Sequence, residues 1–200
     1  MNTYKTHYSN QVHQLYCSFS KHFYVTQNNI VKYQQKPMEI TRNNANKYKK
    51  NFLIFYIIRD HFSNAFYSEI YTQQDAIPIL DFIERAWKEK ENYSFHGIPS
   101  QLMVPKSLIK ILIWMPGFAK ENNFIITTPE SGFQAGNIIF KHLNDRMRLV
   151  FPEKNTSFLK ERFFEFVIDL NTEKKQGFSN MDRWESNLKI PPRQFQFGVQ

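Results

Sequence analysis

The sequence of 200 residues is poor in cysteine and glycine and has no long apolar run. Its one cysteine, Cys17, excludes a disulfide within the chain and fits a reducing compartment. Six glycines argue against a glycine-rich phosphate loop. The longest apolar run, residues 51–58, is too short to cross a bilayer. The first residues lack the apolar core of a signal peptide. We therefore expect a cytoplasmic protein without membrane contact.

Aromatic side chains and positive charge are, by contrast, abundant. Hydrophobic residues make up 42% of the chain and aromatic residues 16%, which is enough for a packed core. The 26 Lys and Arg residues exceed the 18 Asp and Glu residues, giving a formal charge of +8. A basic protein favours polyanionic partners, because bound phosphates release their counterions. Nucleic acid is the partner that this charge balance favours, with ordinary surface charge as the alternative.

Changes in composition and the positions of turn residues divide the chain into three expected segments. Residues 1–36 are polar and aromatic without a clear period, and we predict an N-terminal arm or small helical extension there. Residues 37–152 contain the regular strand and helix patterns of a domain. Residues 153–200 predict C-terminal helices and a tail.

The predicted elements alternate after an initial hairpin. The runs "NFLIFYII" and "AFYSEIY" predict two antiparallel strands joined by a turn at "DHFSN". A helix within 72–93, a strand at "QLMV", a helix at "SLIKILIWM" and a strand at "NFIITT" follow, and then three helices. One further strand is expected at "PMEIT". This order predicts a mixed sheet with helices on its faces.

Several of these stretches together resemble the catalytic core of the retroviral-integrase superfamily, and in particular integrase-core transposases. "LIFYIIRDHFSNAFYSEIY" resembles the second and third strands of that family, including an Asp-x-x-Ser turn at residues 60–63. "GIPSQLMVPKS" resembles the turn and strand that end in its second catalytic aspartate. "PESGFQAGNIIFKHL" resembles the start of the helix that carries its glutamate, and "RFFEFVIDLNTEKKQGFSNMDRWESNLK" resembles the segment after the core. The resemblance implies an α/β, ribonuclease-H-like mixed five-stranded sheet flanked by helices, with a C-terminal helical extension.

The resemblance also implies a site for two Mg²⁺ ions held by three carboxylates. The corresponding positions here are Thr41, Pro105 and Ile139, none of which carries a carboxylate. The separation of 34 positions from Pro105 to Ile139 suits the short final spacing of the family. We therefore expect a core of integrase type that has lost its metal site and needs no cofactor. Glu39 and Asp60 are weak candidates for substitute ligands. Mg²⁺ is implied as a cofactor only if these or other acidic side chains bind it.

The basic residues are the candidates for contacts with DNA. Lysines of this kind suit phosphate contacts that carry no sequence information. The candidates are Lys47, Lys49, Lys50, Lys106, Lys141, Arg146 and Arg148.

Three functions remain open from the sequence. The first is a transposase-like or integrase-like core without catalysis that binds DNA or assembles, as a homo- or hetero-oligomer, within a DNA recombination complex. The second is an active Mg²⁺-dependent recombinase whose ligands lie elsewhere. The third is a protein–protein module, for which Phe195 and Phe197 in the tail alternate with polar residues as in a strand added to a sheet edge.

Overall fold

A computed structural model describes residues 5–41, 44–48, 50–110, 112–129 and 134–194. The strands are β1 (Val12–Val25), β2 (Val31–Tyr33), β3 (Asn51–Asp60), β4 (Phe66–Thr72), β5 (Gln101–Met103) and β6 (Ile125–Thr127). The helices are α1 (Ile79–Trp87), α2 (Lys106–Ile109), α3 (Met115–Glu121), α4 (Gln134–Val150), α5 (Thr156–Thr172) and α6 (Asn180–Ser186), and Ala45–Lys47 form a 3₁₀ turn.

The strands form one mixed sheet in the order β4-β3-β1-β5-β6, and β2 pairs with the distal part of β1. β1 runs antiparallel to β3, and β3 runs antiparallel to β4, which confirms the predicted hairpin. β5 and β6 run parallel to β1 and to each other. The observed class is therefore the mixed α/β sheet flanked by helices that the sequence predicts.

The central strand corrects the sequence-based prediction. Residues 12–25, expected in an arm or helical extension, form β1, whereas residues 37–41 form no strand. β1 lies between β3 and β5 and is covered on both faces, so its burial follows no simple alternation. Buried polar residues such as His13 and Ser20, and an irregular register between Phe19 and Tyr24, further obscure the pattern.

Helices cover the two faces of the sheet. On one face, Phe55 of β3 contacts Phe140 of α4 and Phe163 of α5, with ring centroids 4.9 and 5.7 Å apart. On the other face, Phe82 of α1 stacks on Tyr67 of β4 at 5.8 Å. These aromatic contacts join the sheet and its helices into one main core.

Two predicted helices differ in their bounds. The single helix expected over 107–115 is wrong, because the chain forms the short α2 and then α3. Pro116 lies in the first turn of α3, where proline is tolerated. α1 begins directly after Pro78, without a hydrogen bond from a capping side chain. Over the described residues, no helix combines the length and apolarity that a membrane crossing requires.

The C-terminal helices lock onto the sheet through two buried polar side chains. Asn171 at the end of α5 accepts a hydrogen bond from Phe66 N (2.9 Å) and donates to Phe66 O (3.0 Å), at the exposed edge of β4. Trp184 of α6 donates to Ser94 O, and its ring lies 4.8 Å from that of Phe95. The segment after the core is thus part of the same packed unit.

Candidate functional site

An integrase-type core would hold its metals where β5 ends, between that end, β1 and α4. We call this region, which contains Tyr16 and Pro105 and is flanked by Ile139, the neutral edge. β1 and β5 pair in parallel, with Gln14 opposite Met103. Continuing this register by two residues places Tyr16 beside Pro105, and the alternation of strand residues places both on one face. Tyr16 packs against the buried pair Val12 and Met103, as this register requires.

The first turns of α4 rest directly on Tyr16. The Tyr16 hydroxyl is 2.8 Å from Asn137 Oδ1, and the Tyr16 ring lies 6.2 Å from that of Phe140. A Cβ built on Gly136 would meet Tyr16 Cδ2 at 2.8 Å, so this glycine permits the helix to approach the ring. Burial raises the pKa of Tyr16, and the phenol stays neutral and donates to Asn137. An aromatic side chain therefore fills the space between β1 and α4.

Ile139 lies two residues beyond Asn137 on α4. It is partly buried against the main core, and it also lines a cleft with Arg59 of β3. Arg59 is the β3 partner of Gln14, so Ile139 lies near the same end of β1 as Tyr16 and Pro105. Two of the three sequence-predicted positions, Pro105 and Ile139, therefore flank one region of the fold.

Thr41 does not lie there, so its predicted placement at the end of the first strand is wrong. Thr41 N donates to Asn44 Oδ1 in the turn before the 3₁₀ segment. The neighbouring Ile40 packs on Phe52, which pairs with Tyr24 near the far end of β1. Tyr24 is eight residues beyond Tyr16, roughly 26 Å along a regular strand. The prediction failed because it took the first strand from its place directly before the hairpin, whereas β2 and a long loop intervene.

The residues at this edge do not fit a pair of Mg²⁺ ions. Mg²⁺ requires hard oxygen ligands, chiefly carboxylates, and the edge offers a neutral phenol, a proline and an isoleucine. Within the described parts of the chain, no group of three His, Cys, Asp or Glu side chains lies close enough to hold a metal. Glu39, the first weak candidate, is exposed beside Thr41, and its carbonyl accepts from Asn44 and Tyr48.

Asp60, the second weak candidate, serves the turn that its sequence motif predicts. Asp60 Oδ1 accepts from Asn10 N at 2.9 Å, and Oδ2 accepts from Ser63 N and Ser63 Oγ at 2.7 and 2.8 Å. Burial raises the pKa of this carboxyl, against the lowering effect of these hydrogen bonds. Asp60 also follows Arg59 in β3, so its side chain points to the sheet face opposite α4. Its oxygens are thus occupied away from the edge described above.

The basic candidates fall into two separate groups. Lys47 and Lys50 lie near Thr41, where Lys50 Nζ is 4.0 Å from the Tyr24 ring centroid, and Lys49 lies outside the described residues. The other group lies on the helices that follow Pro105 and Gly136. It consists of Lys106 on α2 and of Lys141, Arg146 and Arg148 on α4.

Within this second group, only one residue makes an ion pair with a described carboxylate. Arg146 lies 3.5 Å from Asp169 and 3.4 Å from Glu173, both on α5. Lys106, Lys141 and Arg148 are exposed. Arg146 therefore links α4 to α5, and the other three present their charges to solvent.

Sequence reasoning missed Tyr16 and Arg59, the two residues that define this region. Tyr16 stands in "HQLYCSFS", whose polar and aromatic residues gave no clear strand signal. Arg59 follows an uninterrupted apolar run, so it reads as the solvated end of a strand although its exposed fraction is only 9%. Recognising residues 12–25 as the central strand is the signal that would have found both.

Comparison with known proteins supports the fold that this geometry describes. No family model matches the sequence, and no curated protein is similar to it. Among solved structures, the magnesium complex of the HTLV-2 integrase catalytic core domain, in its dimeric form, aligns with a TM-score of 0.52 at 14% identity, over 88% of this chain and 97% of that one. The catalytic core domain of BIV integrase aligns with a TM-score of 0.50 at 11% identity, over 88% and 95%.

A larger assembly gives the same result. A chain of the simian T-cell lymphotropic virus intasome, solved with the PP2A regulatory subunit B56 gamma, aligns with a TM-score of 0.55 at 10% identity, over 98% of this chain and 62% of that one. At these identities the comparison establishes the fold. The chain has the ribonuclease-H-like fold of retroviral integrase catalytic core domains.

Proposed function

We propose that this chain is an integrase-type core that has no metal-dependent catalysis and that binds DNA within a recombination complex. The observation that carries the proposal is the contact between Tyr16 and the start of α4. The phenol and ring of Tyr16 occupy the space between β1 and α4, and Pro105 lies two residues after the end of β5, directly before α2. Two-metal catalysis needs acidic oxygens at this edge, and these side chains offer none.

The charge of α4 supports DNA as the partner. α4 carries Lys141, Arg146 and Arg148 against a single acid, Asp145. Because Arg146 pairs with α5, Lys141 and Arg148 are the residues of this helix that remain for phosphates. They lie seven residues apart, which is two turns along one side of the helix. Lys106 adds a further charge directly after Pro105, a position that carries no carboxylate to repel a phosphate.

Assembly is the second part of the proposal. The HTLV-2 core aligned above forms a dimer, and the simian virus chain belongs to an intasome. A core that keeps this fold while carrying a neutral edge would contribute shape and phosphate contacts to such an assembly, and active copies would supply the chemistry.

Reversing two charges on α4 tests the proposed DNA surface. In Lys141→Glu/Arg148→Glu, binding to duplex DNA should weaken, and the slope of log K against log salt should fall by about 2, since each lost phosphate contact removes about 0.9. Fluorescence anisotropy across a salt series measures both quantities.

The matched control is Lys88→Glu/Lys120→Glu, which changes the net charge equally. These two exposed lysines lie directly after α1 and on α3, on the opposite face of the sheet. The control should retain most of the wild-type slope. Equal slopes in the wild-type protein and the α4 variant would contradict the proposed surface, and Mg²⁺-dependent or Mn²⁺-dependent DNA cleavage would favour the active recombinase instead.

A further inference from the structure

A cleft of about 480 Å³ opens between the end of β3, helices α4 to α6 and the turn that follows α5. This volume lies within the range of small-molecule sites, about 300–1,000 Å³. The cleft is lined by Arg59, Asn64, Phe66, Ile138, Ile139, His142, Leu170, Lys175, Gln176, Phe178, Asn180 and Arg183. Three of these residues are permanent cations and none is acidic.

Arg59 forms the inner end of the cleft. Its exposed fraction is 9%, and its guanidinium donates to the neutral side-chain oxygens of Gln14 and Asn64. Among the described residues, no carboxylate lies within ion-pair distance of it. Burial lowers the pKa of Arg59 to about 10, so the group keeps its charge at neutral pH. The charge of the neighbouring Asp60 opposes this lowering only in part. A buried cation without a hydrogen-bonded anion is costly, and an anion in the cleft offsets that cost.

Two exposed basic residues at the rim of the cleft add to the positive charge of the buried Arg59. Lys175 and Arg183 are both exposed, and neither forms an ion pair with a described carboxylate. The buried guanidinium and the two exposed cations line the same space, and His142 is part of its polar lining. This arrangement matches a group with more than one negative oxygen, such as a phosphate, better than a single carboxylate.

An aromatic side chain stands beside these cations. Lys175 and Phe178 pair across a tight turn whose central residues, Gln176 and Gly177, have φ of 56° and 89°. This turn presents Phe178 with 60% of its surface exposed, although the cleft also has apolar walls such as Ile138. An exposed ring next to phosphate-binding cations is the arrangement that proteins use to stack an unpaired base.

We infer that this cleft binds a phosphorylated nucleoside, with the phosphate on Arg59 and the base against Phe178. The nucleoside is either a free nucleotide or one unit of a single strand, because both present the same chemistry. The site is separate from the proposed DNA surface, since neither Lys141 nor Arg148 lines it. It can therefore be tested whether or not duplex DNA binds to α4.

Calorimetric titration of the full chain with three probes tests the inference: inorganic phosphate, adenosine monophosphate and a single-stranded oligothymidylate. The nucleotide and the oligonucleotide should bind saturably and more tightly than phosphate. Arg59→Met should reduce both affinities at least tenfold. Phe178→Ala should weaken the binding of nucleotide and oligonucleotide by several fold and leave phosphate unchanged. An oligonucleotide affinity more than tenfold above that of the mononucleotide identifies a single strand as the source, and comparable affinities identify a free nucleotide.

Exposed variants keep the test decisive if Arg59→Met fails to fold. Lys175→Gln/Arg183→Gln removes the two rim charges without touching the core and should also reduce both affinities, whereas Lys120→Gln/Lys88→Gln, on the other face, should not. The inference is overturned if no probe binds saturably, if phosphate binds as tightly as the nucleotide, or if neither the rim variant nor Phe178→Ala changes the affinity. Duplex binding by the Lys141→Glu/Arg148→Glu variant is a separate readout, so the two proposals can fail independently.

Discussion

At the scale of single residues, the contact between Tyr16 and Gly136 determines how closely α4 approaches β1 at the neutral edge. The absence of a side chain at Gly136 lets the ring of Tyr16 lie under α4, and the ring in turn leaves no room for a Cβ. This contact is mutual, so its energy can be measured by changing each partner separately and together.

The first prediction concerns Gly136. Gly136→Ala should lower the free energy of unfolding by about 1–3 kcal/mol, because overpacking against the body of the Tyr16 ring outweighs the better helix propensity of alanine. Gly117→Ala in α3, where a Cβ meets nothing within 4 Å, should be neutral or slightly stabilising. In a Tyr16→Ala background the cost of Gly136→Ala should disappear. Urea denaturation measures these values, and a cost that persists in that background would contradict the contact.

The second prediction concerns the pH dependence that His13 confers. His13 is fully buried, accepts a hydrogen bond from Trp87 Nε1 at 3.0 Å and stacks on Phe95. Burial lowers its pKa to about 3, whereas an unfolded histidine has a pKa of about 6.5. Between these values the unfolded chain binds a proton that the folded chain does not. Stability should therefore fall as the pH drops from about 6.5 to about 3, by up to ~4 kcal/mol.

The His13→Asn variant isolates this effect, because an amide can accept from Trp87 but does not titrate. Burial raises the pKa of Asp60, which acts in the opposite direction, since the folded chain then holds a proton more tightly and gains stability as the pH falls. Asp60 is present in both proteins, so the difference between their pH profiles reports His13. Parallel stability profiles across pH 3.5–6.5 would show that His13 is not the source.

At the scale of elements, the edge strand β4 depends on α5. Asn171 gives Phe66 both a donor and an acceptor where no further strand pairs, and it also donates to Val167 O at 2.7 Å. Asn171→Ala should cost about 1–3 kcal/mol, since it leaves the buried Phe66 N unpaired, whereas Phe66 O still accepts from the Tyr93 hydroxyl. The neighbouring Thr172→Ala, at an exposed position, should cost much less. Hydrogen exchange should locate the loss at Phe66 N; unchanged protection there would contradict the role assigned to Asn171.

Much of the element order is readable from sequence because it depends on local patterns. The hairpin of β3 and β4 shows apolar runs around turn residues, and α4 and α5 show helical periodicity. β1 is not readable in this way, because its burial on both faces removes the alternation and its polar residues interrupt the apolar run. The position of Tyr16 in the site could not be predicted either. It depends on the pairing of β1 with β5 and on packing against α4, and these contacts are not local in the chain.

At the scale of the whole molecule, the fold is that of integrase cores, whereas the side chains of Tyr16, Pro105 and Ile139 are not metal-binding carboxylates. The sheet order and the covering helices are those of integrase catalytic cores. The edge at which such a core would hold its ions carries Tyr16 and Pro105, and Ile139 faces a cleft lined by Arg59. An integrase-type framework thus carries a cleft lined by basic residues and a helix α4 with three basic residues and one acidic residue.

The binding of divalent metal tests the central claim most directly. Titration of the intact protein with Mn²⁺, followed by electron paramagnetic resonance of the free ion, counts the bound ions. We predict no saturable site at submillimolar Mn²⁺, with or without DNA present, because Tyr16, Pro105 and Ile139 carry no carboxylate and the described residues hold no cluster of metal ligands. Stoichiometric binding of one or two Mn²⁺ ions per chain, abolished by changing acidic residues and accompanied by DNA cleavage, would contradict the account.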